Sequence, residues 1–371
     1  MIHRLIIRNF LSLRDVNVEL GKLNIFIGPN ASGKSNLVAV FRLLQNLVTE
    51  GVPSMEEYDF ESLFFSFDTT KDIEIEVLMD DVEKMSYKLT LNTRGYAERA
   101  YIGSMELLRH EGFDSRCSYA DEQGAKKELF FSGTLPSMKF RNSSMSQTAS
   151  CLLKLPSDSN EALRKIAGKM RGIAAYRLEP RSIKLWDDVE AEPRIQYDGR
   201  GLARYLLHLY LERRGDFSRV EEAVRSAIPE IEEIVPHLER NKVEIWIKVR
   251  GLSEPLRPSN ISDGTVRLLA MAAILYSGQT MVAIEEPENS IHPYLLETVI
   301  ELARRSPSQV VITTHSPYLL DKVRPEELYL VERRGLDTVV TKLSGSKAEE
   351  VRRYLEEGGT LGEAWYGGVI S

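Results

Sequence analysis

Two glycines, a lysine and a serine stand at fixed spacing in the segment Gly28-Pro29-Asn30-Ala31-Ser32-Gly33-Lys34-Ser35. Glycines let backbone N–H groups curl around an anion, and a helix that starts at the end of such a loop adds positive potential. In this spacing the lysine neutralises the β- and γ-phosphates of a nucleotide, and the hydroxyl is a ligand of Mg²⁺. The segment predicts a phosphate cradle (a P-loop) rather than an incidental glycine-rich turn.

Two acids follow an apolar run near the other end of the chain, where Met281–Ile284 precedes Glu285 and Glu286. The run is typical of a buried strand, and ligands bind at the carboxyl ends of strands in open α/β sheets. We expect Glu285 to hold Mg²⁺, directly or through water, and Glu286 to polarise an attacking water. Two glutamates at a strand end also occur on ordinary surfaces, but their combination with the cradle favours the catalytic interpretation.

A third apolar run, Val310–Ile312, leads into Thr313, Thr314 and His315. A histidine at this position can reach the γ-phosphate of a bound nucleotide and respond to hydrolysis. A lone histidine at a strand end is more often structural, and the two preceding elements favour the functional interpretation here.

The elements that must position these residues are predicted from periodicity. Ile2–Ile7 and Leu23–Ile27 are typical of strands, and residues 34–48 have helical spacing. Alternating segments between residues 58 and 133 predict an antiparallel sheet. Residues 134–160 are rich in Ser, Asn and Pro and predict a loop or connector.

The second half of the chain is predicted to be helical at first and then α/β. Helices are expected from 160 to 240, including a stretch punctuated by Pro229 and Pro236, and Val243–Val249 alternates as a strand. A helix from about 263 precedes the strand with the two acids, and another follows Pro293.

Composition places limits on location. The chain has 371 residues, 43% hydrophobic and 28% charged, as in a globular protein of two closely joined lobes. No apolar run approaches the roughly 18 residues that a membrane span requires, so we expect no membrane association. Cys117 and Cys151 form neither a metal-binding spacing nor a disulfide framework. These features predict a cytoplasmic protein.

The net charge of −7 does not indicate a general nucleic-acid binder, so DNA binding would need a local patch. The stretch from Arg164 to Lys184 is such a candidate, with Glu179 as its single acid. Its cations are Arg164, Lys165, Lys169, Arg171, Arg177, Arg181 and Lys184. A solvated basic face is the equally weighted alternative.

The order of the motifs resembles that of ABC-type ATPases. After the P-loop come Ser262-Asp263-Gly264-Thr265, then Ile284–Pro293 and then Thr313–Pro317. The opening Ile6–Leu13 and the segment Gly28–Asn36 resemble the RecF/SMC-like branch more narrowly, with its standalone and overcoming-lysogenization-defect-like ATPases. The resemblance covers roughly residues 1–48 and 255–333. No Toprim-like nuclease region is recognised after His315.

This resemblance implies an α/β fold, the P-loop NTPase fold of an ABC-ATPase head, with a mixed central sheet, an antiparallel β subdomain and an inserted helical lobe. Residues 1–135 are expected to form the first part of the ATPase lobe. Residues 136–255 are expected to form the inserted, mainly helical lobe, and residues 256–371 the remainder of the ATPase lobe.

The resemblance also implies individual roles. Ser262 and Gly264 match the signature motif, which contacts the γ-phosphate bound by the opposite subunit; Ser262 is equally an ordinary helix N-cap. Gln147 is the candidate for the family's metal-linked glutamine, and Asn289–His292 would couple the two composite sites. The residues expected to bind ATP are Arg8, Asn30, Ala31, Ser32, Gly33, Lys34, Ser35, Asn36, Ser262 and Gly264.

The function implied is that of an ATP- and Mg²⁺-dependent homodimer that closes on two ATP molecules, hydrolyses them and opens. Its target would be DNA, or a nuclease or toxin partner, in genome maintenance or phage defence. One alternative is an ATPase coupled to a membrane transporter, although the Ser-Gly-Gly-Gln motif of that class is missing. A second alternative is a nucleotide-gated scaffold with little hydrolysis.

Overall fold

The computed structural model describes residues 1–79, 84–131, 136–368 and 370. The strands are β1 Ile2–Phe10, β2 Leu13–Glu19, β3 Leu23–Ile27, β4 Ile73–Met79, β5 Met85–Asn92, β6 Gly95–Ile102, β7 Met105–Glu111, β8 Arg116–Ala120, β9 Lys126–Phe130, β10 Ser137–Lys139, β11 Ser144–Ser146, β12 Ile173–Tyr176, β13 Asp187–Asp188, β14 Ile231–Glu239, β15 Lys242–Val249, β16 Met281–Glu285, β17 Gln309–Thr314, β18 Leu328–Arg334 and β19 Asp337–Lys342. The helices are α1 Lys34–Glu50, α2 Glu161–Arg171, α3 Pro180–Ile183, α4 Leu202–Glu212, α5 Arg214–Ala227, α6 Asp263–Leu275, α7 Pro293–Arg305, α8 Pro317–Leu320, α9 Gly345–Glu356 and α10 Leu361–Tyr366.

The chain forms two compact units, each assembled from separate segments. The first unit consists of Met1–Lys22, Ile27–Ala174 and Tyr329–Lys342, and the second of Leu23–Phe26, Ala175–Leu328 and Leu343–Ser371. These limits do not follow 135/136 and 255/256, and the three-part division stays a prediction. Within the described ranges, no helix has the length and apolarity needed to cross a membrane.

The first unit contains an eight-stranded antiparallel sheet in the order β2-β1-β4-β5-β6-β7-β8-β9. Side chains on β4 and β5 alternate between buried and half-buried, as expected for a sheet with one covered face. Helix α2 packs on β5 and β6, and α1 packs on α2. The antiparallel sheet predicted between residues 58 and 133 is present; β2 was not predicted.

Helix α1 follows the P-loop and is anchored by the predicted apolar face. Leu37, Phe41, Leu44 and Val48 are all buried, at spacings that place them on one side of a helix. The helix ends at Gly51, whose φ of 82° is the left-handed conformation that terminates many helices. The buried face that runs along α1 therefore holds the helix, and with it the first turn after the P-loop, in place.

The second unit contains the strands that carry the acids and the histidine. Strand β16 pairs with β17 in parallel, with Glu285 opposite Thr313, and the neighbouring strands follow the order β12-β16-β17-β3. Every residue of β16 and β17 is buried. Because parallel strands end at the same edge of a sheet, Glu285 and Glu286 come close to Thr314 and His315.

A three-stranded sheet in the second unit corrects one prediction. Residues 231–239, which we expected to be helical, form β14 at the edge of the order β13-β15-β14. Pro236 is compatible with this strand because an edge position needs no ladder hydrogen bond from its nitrogen. With β12 to β15 in it, the segment 136–255 is mixed rather than mainly helical, and β10 and β11 form a short hairpin in the predicted connector.

Cys117 and Cys151 form a disulfide, contrary to the expectation of no disulfide framework. Their Cα atoms lie 6.2 Å apart, within the normal range for the bond. The bond joins β8 to the segment after β11. Glu98 of β6 contacts the same segment: it is fully buried and accepts hydrogen bonds from Tyr87 Oη and from Ser150 Oγ, each at 2.9 Å. The pairing depends on strand order, which the spacing of two cysteines does not reveal.

Reduction of this disulfide should lower the stability of the protein. The bond closes a loop of 34 residues, for which chain entropy gives about 4 kcal/mol of stabilisation. We expect dithiothreitol to lower the thermal midpoint by several degrees in scanning calorimetry. A double variant with Cys117→Ala and Cys151→Ala should melt at the lower temperature with or without the reductant. Equal midpoints for the oxidised and reduced protein would contradict this expectation.

Candidate functional site

The segment between β3 and α1 forms a loop in which two glycines are sterically required. A Cβ atom on Gly28 would collide with the carbonyl oxygen of Val331, and one on Gly33 would collide with Oγ1 of Thr338. Gly33 has φ of 104° and Ala31 has φ of 62°, and left-handed residues are a feature of loops that cradle anions. A methyl group at either position would therefore push the loop away from β18 and β19, against which it packs.

Lys34 lies inside this loop and is only 6% exposed. Its Nζ donates to the carbonyl oxygens of Gly28 at 2.7 Å and Pro29 at 2.9 Å. Ser35 follows as an exposed residue in the first turn of α1. The ammonium is thus pre-positioned within the loop, and the hydroxyl is at the helix N-terminus.

A chain of hydrogen bonds between polar side chains connects α1 to the backbone of the loop. Asn36 Nδ2 donates to Ser12 Oγ at 2.6 Å, Ser12 Oγ lies 2.6 Å from Thr338 Oγ1, and Thr338 donates to the carbonyl oxygen of Ser32 at 2.9 Å. Ser32 Oγ is buried and has no hydrogen-bond partner among the described residues. A loop with left-handed residues, a buried lysine and an unpartnered hydroxyl fit a phosphate group.

In the second unit, Glu285 and Glu286 occupy different environments at the end of β16. Glu285 is buried, and its Oε2 accepts a hydrogen bond from Tyr197 Oη at 3.1 Å. Glu286 has a side chain that is 25% exposed. Its Oε2 accepts from Asn289 Nδ2 at 3.0 Å, and its Oε1 lies 3.2 Å from His315 Nδ1. Glu286 is the carboxylate that is both held in place and open to water.

His315 is oriented by a second acid. Oε1 of Glu288 accepts hydrogen bonds from Thr314 Oγ1 at 2.6 Å and from the His315 N–H at 3.1 Å, and it lies 3.5 Å from His315 Nδ1. The Glu288 side chain is 7% exposed. With Nδ1 protonated, the ring donates to Glu286 and its Nε2 remains available to a ligand. A carboxylate held in this way can accept a proton from water.

Ser262 and Gly264 lie at the start of α6, near the loop after Glu286. Ser262 is the N-cap, and its Oγ accepts from the Thr265 N–H at 3.1 Å, so the capping interpretation is confirmed. A Cβ on Gly264 would lie 2.8 Å from the carbonyl oxygen of Ser290, so a larger residue there would displace the helix or the loop. The predicted contact of Ser262 with a nucleotide stays a prediction.

Two other predicted ligands make different contacts. Arg8 Nη1 donates to Glu74 at 2.9 Å, which raises the pKa of Arg8, and Nε lies 3.6 Å from Asp15. Gln147 is buried against Gly95, and its Nε2 donates to the Arg94 carbonyl oxygen at 3.3 Å. None of these contacts involves the P-loop, and both roles stay predictions.

The basic stretch is divided between the units. Arg164 to Arg171 belong to α2 in the first unit, and Arg177 to Lys184 lie in the second. Glu179 is not the single acid that faces these cations, because Glu122, Glu161 and Asp263 from outside the stretch also pair with them. The pairs are Arg164–Glu122 at 3.0 Å, Lys165–Glu161 at 3.2 Å, Arg177–Glu179 at 3.8 Å and Lys184–Asp263 at 2.6 Å.

Four residues of the site were missed by the sequence analysis: Thr338, Tyr197, Glu288 and Arg267. Thr338 and Tyr197 come from strands and loops far along the chain from the groups they contact. Glu288 was part of the Ile284–Pro293 segment, but the sequence gave it no role separate from that of Glu285 and Glu286. Arg267 lies in the apolar sequence of α6, and its charge within that sequence was the one feature that could have indicated a role.

Comparison with known proteins agrees with the motifs. Residues 1–49 match the family described as "AAA ATPase domain", and residues 155–321 match "AAA domain, putative AbiEii toxin, Type IV TA system". The "OLD nuclease" of Thermus scotoductus (strain ATCC 700910 / SA-01) is 25% identical over 398 residues, covering 98% of this chain and 69% of that protein.

Solved structures show the same fold. A Smc head bound to the C-winged helix domain of ScpA has a TM-score of 0.60 at 15% identity, with 94% of this chain and 99% of that chain covered. A Smc head with an extended coiled coil, bound to the C-terminal domain of ScpA derived from Pyrococcus furiosus, has a TM-score of 0.54 at 14% identity, with 96% and 98% covered.

The fold is thus that of a P-loop NTPase of the ABC-ATPase head type, and the predicted fold class is confirmed. The family matches, the similarity to the OLD nuclease and the fold of the Smc heads together support an ABC-type ATPase of the RecF/SMC-like kind, as the motif order predicted.

Proposed function

We propose that the chain binds Mg-ATP at its P-loop and hydrolyses it with Glu286 as the general base. The observation that carries this proposal is the Glu286 carboxylate, which His315 and Asn289 hold at 3.2 and 3.0 Å while a quarter of its side chain stays exposed. Its exposure distinguishes Glu286 from an acid such as Glu98, whose two oxygens are also hydrogen-bonded but which is fully buried. This arrangement favours hydrolysis over a scaffold that only binds nucleotide.

The residues of the P-loop supply binding and charge neutralisation. Lys34 would exchange the loop carbonyls for the β- and γ-phosphates, and backbone N–H groups of the loop would hold the remaining oxygens. Ser35 and Glu285 are the residues proposed to hold Mg²⁺, which when bound offsets phosphate charge. Glu286 would take a proton from the attacking water, with His315 fixing the carboxylate and sensing the γ-phosphate.

A second copy of the chain is the proposed partner. Ser262 and Gly264 at the start of α6 present a hydroxyl and backbone N–H groups, which suit a phosphate. In the proposed dimer this signature segment would clamp the ATP bound by the other copy. Because ATP would bind more tightly to the closed dimer, its binding would close the dimer and its hydrolysis would open it.

The proposed target of this switch is DNA, or a nuclease or toxin partner, in genome maintenance or phage defence. Support comes from the similarity to a protein described as a nuclease and to a family description that names a toxin. Candidate phosphate contacts are the cations between Arg164 and Lys184, although acids among the described residues already pair with at least four of them. DNA binding through them would weaken steeply with salt.

Substitutions at Ser262 separate the capping role from the proposed contact with ATP. Ser262→Asp keeps an N-cap acceptor but places a negative charge where the γ-phosphate of the other copy would lie. We expect unchanged thermal stability and a fall in kcat on the order of 100-fold, measured as phosphate release.

Ser259→Asp, at an exposed residue just before α6, is the matched control and should retain the wild-type rate. The rate per subunit of the wild type should also rise with protein concentration. A Ser262→Asp enzyme as active as the wild type would exclude the signature role.

A further inference from the structure

Arg267 is a buried cation in a helix that is otherwise apolar over most of its length. The residue is 4% exposed, and Leu268 to Leu275 are all buried. Removing a guanidinium from water is costly unless hydrogen bonds and charges compensate. Burial lowers the pKa of Arg267, while Glu179, Glu288 and Glu286 act in the opposite direction. A leucine would fill this position at lower cost, so the cation has a role beyond packing.

The hydrogen bond from Arg267 leads to the backbone of Glu286. Nη2 donates to the Glu286 carbonyl oxygen at 3.2 Å, whereas Nε is without a partner in the part of the chain described. Glu286 has φ of 45°, in the left-handed region that residues with a side chain rarely adopt. On its other side, the Glu286 N–H donates to the Thr313 carbonyl oxygen at 2.9 Å. The Asn289 N–H also donates to the Glu286 carbonyl oxygen, at 3.2 Å, so three hydrogen bonds hold Glu286 in an unfavourable conformation, and the one from Arg267 is the only one of the three that a side chain donates.

This conformation directs the Glu286 side chain to its partners. The carboxylate reaches His315 Nδ1 and Asn289 Nδ2 from the residue that carries the left-handed backbone. If the peptide relaxed to a common backbone conformation, the carboxylate would leave these partners. Within the described residues, Arg267 donates a hydrogen bond to the carbonyl oxygen of Glu286 and none to its carboxylate oxygens.

Helix α6 also touches the same loop at its first turn. Ser262 caps the helix, and Gly264 approaches the Ser290 carbonyl oxygen so closely that a Cβ would lie 2.8 Å from it. Arg267 lies in the next turn of this helix. A shift of the helix start would therefore move both the Ser290 contact and the Glu286 contact.

We propose that Arg267 is a positioning residue that couples the start of α6 to Glu286. Its hydrogen bond holds the Glu286 peptide in the left-handed conformation. The catalytic base is therefore correctly placed when the start of α6 contacts the ATP bound by the other copy. This inference rests on the proposed ATP hydrolysis by Glu286. It predicts an effect on turnover and no effect on ATP binding.

The test replaces Arg267 with Met, which removes the donor and keeps a long apolar stem, and with Lys, which keeps a cation and a donor. For Arg267→Met we expect kcat to fall about 100-fold, as for a misplaced catalytic group, with the dissociation constant for ATP within about threefold of the wild type. Arg267→Lys should recover at least about a tenth of the wild-type kcat because its ammonium can donate to the same oxygen.

Arg204→Met is the matched control, since Arg204 lies in α4 of the same unit, has an 11% exposed side chain and also has a buried Nε without a partner in the described residues. The Arg204→Met substitution should leave kcat unchanged.

Light scattering adds a second measurement. The Arg267→Met protein should form the ATP-dependent dimer and remain dimeric for longer than the wild type.

Each remaining outcome decides the matter. A wild type without ATPase activity refutes the proposed function itself. An active wild type with Arg267→Met equally active refutes the positioning role. Loss of ATP affinity in parallel with kcat, or a melting temperature far below that of Arg204→Met, assigns Arg267 to the structure alone and also overturns the inference.

Discussion

Replacing Glu286 with glutamine should lower kcat for ATP hydrolysis by about 10²- to 10⁴-fold, the usual contribution of a general base. Glutamine has the same shape and its oxygen can accept one of the two hydrogen bonds from Asn289 and His315, but its amide cannot accept the proton of the attacking water. ATP binding depends on the P-loop, so the dissociation constant for ATP should remain within about threefold of the wild type. Phosphate release and nucleotide binding, measured on one preparation, give both quantities.

Glu297→Gln is the matched control, because Glu297 is a surface acid of α7 in the same unit, with a 66% exposed side chain paired with Lys322. It should hydrolyse ATP at the wild-type rate. If Glu286→Gln kept more than about a tenth of the wild-type kcat, another group would have to be the base, and Glu286 would be a structural acid held by His315.

Replacing Lys34 with methionine should remove most ATP binding. A charged hydrogen-bond donor contributes up to about 3 kcal/mol, which corresponds to a loss of affinity on the order of 100-fold. Methionine preserves the length of the stem inside the loop, so the cradle formed by Gly28 and Gly33 should persist. Equilibrium binding of a fluorescent ATP analogue measures the effect.

The loop carbonyls of Gly28 and Pro29 lose their donor in this variant, so its melting curve must be compared with that of the wild type. Lys71→Met is the control for a lysine of the first unit, since Lys71 has a 63% exposed side chain and pairs with Asp68. Undiminished ATP binding by a folded Lys34→Met protein would show that the nucleotide does not use the P-loop.

The groups at strand ends were predictable because short apolar runs determine where buried strands stop. Met281–Ile284 and Val310–Ile312 are each followed at once by the polar residues that the structure brings together. The P-loop and α1 were predictable for a similar reason, since glycine spacing and a helical apolar face are local properties. Local sequence pattern was enough to predict these groups because the strands that carry them run in parallel side by side, and because α1 follows the P-loop directly.

Features that depend on distant pairing were not predictable. The proline in β14 suggested a break in a helix, because the sequence does not show that residues 231–239 lie at a sheet edge. Cys117 and Cys151 gave no sign of pairing until β8 and the segment after β11 were placed side by side. The cations between Arg164 and Lys184 looked unopposed because their acidic partners, such as Glu122 and Asp263, lie elsewhere in the chain.

The proposed ATP-dependent dimer is tested most directly by the light-scattering mass of the Glu286→Gln protein with and without Mg-ATP, in the presence and absence of duplex DNA. The proposal predicts that ATP doubles the mass from 42.1 kDa, that the added Ser262→Asp substitution prevents the doubling, and that DNA co-migrates with the dimer if DNA is the target. A mass that stays at that of one chain while ATP is bound would contradict closure of two copies on ATP.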